Sequence, residues 1–187
     1  KMPDYDWGID ISPDFLIENG WFNAGRGSIK AILCLYAYQQ PKSFSDDALV
    51  NISNYWLKQA NSKNYHHFFP RAFLAKKKEE EWRINNIVNI TIVDDYLNKR
   101  EIGAKAPSVY MKTFKKSNAN LAKSMRSHLI GDLDDFGITG NDFDKFLGAR
   151  AAAISAELKK RIIERSIDGR GQAYKTDDFE EEMASFE

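Results

Sequence analysis

Between Ile87 and Val93 the chain reads Ile-Val-Asn-Ile-Thr-Ile-Val, and every residue but Asn89 is branched at Cβ. Branched side chains lose rotamer freedom in a helix and pack well on a pleated surface, so this short run predicts a β-strand, closed by Asp94 and Asp95. The segments around it have helical spacing. Its natural partner is Tyr65-His66-His67-Phe68-Phe69, led in by polar residues from Lys58 to Asn64 and stopped by Pro70. The chain is therefore expected to be α+β and mostly α-helical, with a small two-stranded antiparallel element in its middle.

The helical expectations follow from period and punctuation. Met2 to Gly27 reads as short helical pieces and turns. Ser28 is a candidate N-cap for a buried helix through Ile29, Ile32, Leu33, Leu35 and Tyr36 that stops before Pro41, with Cys34 in its core. Asp46 to Leu57 reads as a short helix, Arg71 to Trp82 as a charged helical insertion and Tyr96 to Arg100 as a helical turn. Pro107 and Ser108 restart a helix through Lys116, and Ala119 to Ile130 continues the pattern. Phe143, Leu147, Ala151, Ile154, Leu158 and Ile162 recur every three or four residues, one face of a long amphipathic helix. These readings divide the chain into a helical N-terminal shell (1–60), a central core (61–116), C-terminal helices (117–168) and an acidic tail (169–187).

Composition narrows the function classes. The longest apolar run, Ala31 to Ala37 with Tyr38 behind it, is far short of the roughly 20 residues that cross a bilayer, and no signal sequence opens the chain, so a cytoplasmic protein without membrane partners is expected. The single cysteine excludes an internal disulfide framework and a thiolate-built zinc cluster; any metal must be held by N and O ligands. The formal net charge is zero, but residues 61–126 hold 14 Lys/Arg against 6 Asp/Glu. Such a concentration suits a polyanion, although solvated helix faces produce similar runs. The start at Lys1-Met2 suggests a piece of something longer.

Asp132 to Gly137 imitates a calcium loop, but Phe136 and Phe143 occupy two positions that need oxygen ligands. Gly25-Arg26-Gly27 lacks the lysine or further glycines of a phosphate-binding loop and reads as a helix entry.

The adjacent pair His66 and His67 is the chemical centre of the sequence. Neighbours on a strand face opposite ways, although twist at a strand end can bring both to one site; the alternative is an aromatic cluster with Tyr65, Phe68 and Phe69 whose imidazoles are merely hydrogen-bonded. Downstream stand Asn89, beside the β-branched run, and Asn98. The histidine, asparagine, asparagine series resembles the HNH endonucleases of the ββα-metal fold, in the variant whose last ligand is asparagine. More closely, Tyr65 to Pro70, Ile84 to Val93 and Asn98 to Tyr110 together resemble the C-terminal nuclease domain of GmrSD-type, modification-dependent restriction enzymes.

That resemblance implies a ββα-metal core in a helical shell, a DNA endonuclease of restriction or phage defence, and a divalent metal cofactor. His67 is the candidate general base, since imidazole titrates nearest neutrality. The resemblance gives Asn89 a supporting role, holding the loop and orienting His67, and makes His66 and Asn98 candidate metal ligands. The family commonly has Asp where this chain has His66. Imidazole favours Mn, Co, Ni or Zn over Mg, so a transition-ion preference is expected. The resemblance also implies DNA, possibly modified, as a partner, and an N-terminal sensor domain for nucleotide hydrolysis with an Asp-Gly-Gln-Gln-Arg signature, which is absent from this sequence. A DNA-binding module with a degenerate motif is the rival reading, and an RNA-directed toxin nuclease would use the same site.

Lys76, Lys77, Lys78, Lys99, Arg100 and Lys105 flank the motif as phosphate-positioning charges would. If about six such charges neutralise phosphates, log affinity plotted against log salt should fall with a slope of about −5 in a filter-binding titration, and a flat response would refute the nucleic-acid reading.

Overall fold

A computed structural model describes residues 10–23, 25–52, 65–93 and 101–161. About half of them are helical, and two three-residue strands form an antiparallel sheet. In chain order the elements are α1 (Pro13–Glu18), α2 (Gly27–Tyr38), β1 (Tyr65–His67), α3 (Arg71–Lys76), α4 (Glu81–Ile84), β2 (Ile90–Ile92), α5 (Pro107–Ser117), α6 (Leu121–Arg126) and α7 (Phe143–Lys159). Residues 94–100, where a ββα-metal core would place its helix, lie outside the described residues, as do the polar lead-in 58–64 and the acidic tail. None of the described helices is long and apolar enough to cross a membrane.

Pro13 opens α1 behind Ser12, whose hydroxyl accepts the Phe15 N–H at 3.2 Å. In α2, Ile29, Ile32, Leu33, Leu35 and Tyr36 are buried as the spacing predicts, with two corrections. The helix starts at Gly27 with Arg26 in the cap position, so Ser28 is not the cap, and Cys34 is exposed because it lies off the apolar stripe.

The helix expected from Asp46 is replaced, through residue 52, by a turn and a bridge pairing Lys42 with Leu49. Side chains explain this. Asp46 Oδ1 accepts the Ala48 N–H at 3.2 Å and Ser43 Oγ the Ser45 N–H at 3.3 Å, bonds that compete with helical ones. The insertion from Arg71 is two short helices parted where Lys78 takes a positive φ of 60°. The β-branched run is a strand only from Ile90. Residues Ile87–Asn89 form a 3₁₀ turn, because the Asn86 side chain caps them by accepting the Val88 N–H at 3.0 Å. Ala119 to Ile130 is helical only over α6.

The strands pair Tyr65 with Ile92, His66 with Thr91 and His67 with Ile90. So small a sheet is marginal alone and depends on what packs against it. Phe68 and Phe69, directly after β1, lie fully buried in an aromatic core: Phe68 stacks on Phe146 of α7 at 4.9 Å, and Phe69 meets Phe143 at 5.2 Å. Helix α7 also packs against α1 and the 3₁₀ turn.

Arg150 and His128 are among the polar residues buried in this core. Arg150 is fully buried; its Nη1 donates to the Val88 carbonyl at 2.5 Å, its Nε to that of His128 at 3.3 Å, and its guanidinium lies 5.0 Å from the centre of the Tyr36 ring. His128 packs on Phe44 at 4.7 Å, and its Nε2–H donates to the Lys42 carbonyl at 2.8 Å. Burial, with the Arg150 charge nearby, pushes this imidazole down to about 4, against the opposing effect of the Lys42 bond. The unfolded chain therefore binds a proton near pH 6.5 that the folded one refuses until about pH 4. Stability should be full above pH 6.5 and fall with pH in that window by about 1.4 kcal/mol per pH unit. Urea denaturation across the window should show the slope, and His128→Gln should flatten it.

Candidate active site at the two-stranded sheet

β1 delivers both histidines. His66 is buried, His67 is partly buried, and both contribute to the wall of a cleft of about 210 Å³ completed by Tyr65, Pro70, Arg71, Ala72 and Gly103. The cleft lies where the chain leaves β1, turns through buried Phe68 and Phe69 and enters α3 at Arg71, so the imidazoles, backbone and guanidinium share one small region.

Burial lowers the His67 imidazole below its ordinary range, and the Arg71 charge works in the same direction, while Asn85 and Glu81 oppose it. Its Nε2 lies 3.2 Å from Asn85 Oδ1. A neutral ring in a cleft is a proton acceptor, the state that a general base requires. Arg71 meets Glu81 at 3.0 Å, but both side chains stay largely exposed, so the guanidinium is available to an incoming anion.

Asn89 is fully buried and spends its amide on backbone. Its Oδ1 accepts the Phe69 N–H at 2.9 Å, and its Nδ2 donates to the carbonyls of Phe69 at 3.1 Å and Ile84 at 3.0 Å. These bonds clamp the turn after β1 to the end of α4. The partner of the His67 ring is instead Asn85, four residues earlier.

Asn98, Lys99 and Arg100 lie outside the described residues. Lys76, Lys77, Lys78 and Lys105 are exposed around the motif; Lys77 donates to the Asn141 carbonyl at 3.1 Å and Lys105 to that of Glu101 at 2.7 Å. Among the described residues no three His, Cys, Asp or Glu side chains converge as metal ligands. Of the two ligands that the resemblance implies, the cleft wall holds the His66 imidazole, which could hold a divalent ion only with further ligands completing its shell. A larger groove of about 850 Å³ runs between α5 and residues 132–139, with Lys112, Lys115 and Lys116 facing Asp132 and Asp134.

Sequence reasoning missed Asn85 and Arg71. Arg71 follows the Pro70 that ends the motif, and that adjacency was the available signal. Asn85 gives little, being one of two asparagines after a charged helix.

Compared with known proteins, residues 12–153 match the family described as GmrSD restriction endonucleases, C-terminal domain. No curated protein and no solved structure matches the chain.

Replacing Asn89 by alanine leaves one N–H and two carbonyl groups buried without their partner, at about 1–3 kcal/mol for each group left unsatisfied. Asn89→Ala should lower the urea midpoint by an amount equal to several kcal/mol, and a loss below 1 kcal/mol would show that water replaces the amide.

Proposed function

The chain belongs to the family of GmrSD restriction endonuclease C-terminal domains, nucleases of restriction systems, and on that premise we propose that it is a divalent-metal-dependent DNA endonuclease of HNH type that nicks its substrate with His67 as general base. The observation that carries the finer reading is the cleft itself: a partly buried imidazole held by an amide, four residues from an exposed guanidinium, beside a turn clamped by Asn89.

In this reading a DNA phosphate enters the cleft against Arg71, whose planar fork suits phosphate oxygens better than its exposed contact with Glu81. His67 takes a proton from the water that attacks phosphorus. Asn89 keeps the turn from shifting, so that the base stays within reach of that water. A divalent ion held by His66 and Asn98 would supply positive charge for the phosphate and the departing 3′ oxygen. The nitrogen ligand at 66 favours Mn, Co, Ni or Zn for this role. The lysines from Lys76 to Lys78, with Lys99, Arg100 and Lys105, track the DNA backbone and add affinity without reading sequence. The substrate is cytoplasmic DNA, with any choice of modified DNA left to a sensor domain elsewhere in the protein.

Nicking of supercoiled plasmid in Mg, Mn, Co, Ni and Zn tests the proposal. Metal-dependent relaxation should fall about 10²-fold to 10⁴-fold in His67→Ala while DNA affinity is nearly unchanged. Equal trace cleavage by parent and variant, with DNA binding kept, would instead assign the chain to a DNA-binding module with a degenerate motif.

A further inference from the structure

The strand-like segment Gly20 to Phe22, far from the motif in sequence, runs against residues 85–87. The Ile87 N–H donates to the Gly20 carbonyl at 2.7 Å, Trp21 forms an antiparallel bridge with Asn86, and the Phe22 N–H donates to the Asn85 carbonyl at 2.8 Å. The approach is close enough to require glycine: a Cβ on Gly20 would stand 2.2 Å from the Leu16 carbonyl oxygen and 2.4 Å from Asn86 Oδ1. Phe22 also sets its ring edge-on to Tyr65 in β1, at 5.1 Å and 78°. This strap thus touches both sides of the candidate site.

Its effect on chemistry runs through one amide. Asn85 Nδ2 donates to the Phe22 carbonyl at 3.3 Å, and a carbonyl can only accept, so the nitrogen end of the side chain is assigned to the strap. The oxygen end is then the one that faces His67, with Oδ1 3.2 Å from Nε2. An amide oxygen accepts and does not donate. A neutral imidazole carries one proton, and this contact requires it on Nε2, which leaves the lone pair on Nδ1.

We infer that Asn85, clasped by Phe22, is a positioning residue that fixes His67 as the Nε2–H tautomer and so makes Nδ1 the basic atom. The inference rests on the reading of His67 as the base. In the reaction Nδ1 gains the proton that water loses, the resulting hydroxide forms the new bond to phosphorus, and the 3′ oxygen departs with the electrons of the broken bond. The imidazolium keeps its Nε2–H bond to Oδ1, so charge develops on the ring without a second proton transfer.

The test reads the tautomer directly. Ring ¹⁵N shifts of His67 are recorded on the metal-free protein at a pH where the ring is neutral, with His67→Ala providing the assignment. The expected result is an Nε2–H pattern in the parent, a mixed tautomer in Asn85→Ala and Asn85→Leu, and a restored Nε2–H pattern in Asn85→Asp, which keeps the acceptor oxygen. Plasmid nicking by the same variants should show kcat lower by about tenfold to a hundredfold in Asn85→Ala with KM for DNA little changed, and partial rescue in Asn85→Asp. An Nδ1–H pattern in the parent overturns the inference without any variant having to fold. An unchanged tautomer in a folded Asn85→Ala overturns it too. If no chain cleaves DNA in any metal while the ring shifts follow the expected order, the endonuclease reading has failed and the positioning has not.

Discussion

Irregular backbone buried in an apolar core is the constraint on which the rest of the structure depends. The turn after β1 and the 3₁₀ turn before β2 lie side by side in the interior, where a carbonyl without a donor costs free energy that water cannot return. Each is answered by a distant group. Tyr36 donates to Ile87 O at 3.0 Å, Arg150 to Val88 O at 2.5 Å, the Phe68 N–H to Asn89 O at 2.8 Å, Tyr110 to Phe68 O and Asn89 to Phe69 O. Arg150 is the costliest of these solutions. Its guanidinium is buried among Tyr36, Phe146 and two carbonyls, makes no ion pair among the described residues, and has Nη2 without a hydrogen-bond partner there. A charge so placed is poorly compensated, and burial accordingly lowers the affinity of the guanidinium for its proton. In the placement of α7 seen here its Nη1 meets the Val88 carbonyl.

The same arrangement explains how a sheet of six residues can present a site. Two three-residue strands do not hold a side chain in place by themselves. Here Phe68 and Phe69 anchor one end of the pair in the aromatic core, Asn89 ties the turn to α4, and the strap from Gly20 to Phe22 covers the adjoining edge. His67, the last residue of β1, is therefore held between a paired strand and an anchored turn.

What could be read in the sequence is what repeats with a period. The stripe from Phe143 to Leu158 specifies α7, Pro107 marks the start of α5, and β-branching identifies β2 while the flanking polar run and Pro70 delimit β1. Several of the failures share one cause, side chains bonding to backbone at places no period announces. Asn86 turns the start of the β-branched run into a 3₁₀ turn, Ser43 and Asp46 turn a helix pattern into a loop, and Arg150 interrupts an apolar face as a surface arginine would, yet is fully buried. Within the candidate site, His66 and His67 stand out in the sequence as an adjacent pair, whereas Asn89 was singled out by its spacing and by the family resemblance. Asn85 was not, because its importance comes from Phe22, a residue 63 positions away that nothing in the sequence links to it.

The buried carbonyl of Val88 also sets a timetable. Its donor is residue 150, so a growing chain has no such partner for that carbonyl until the first half of α7 has been made. Domains assembled from such distant contacts close late, after their loop entropy has been met all at once. In a chain of this family the 3₁₀ turn beside the strand of the two histidines thus gains its buried donor for Val88 only from α7, a helix more than fifty residues further along.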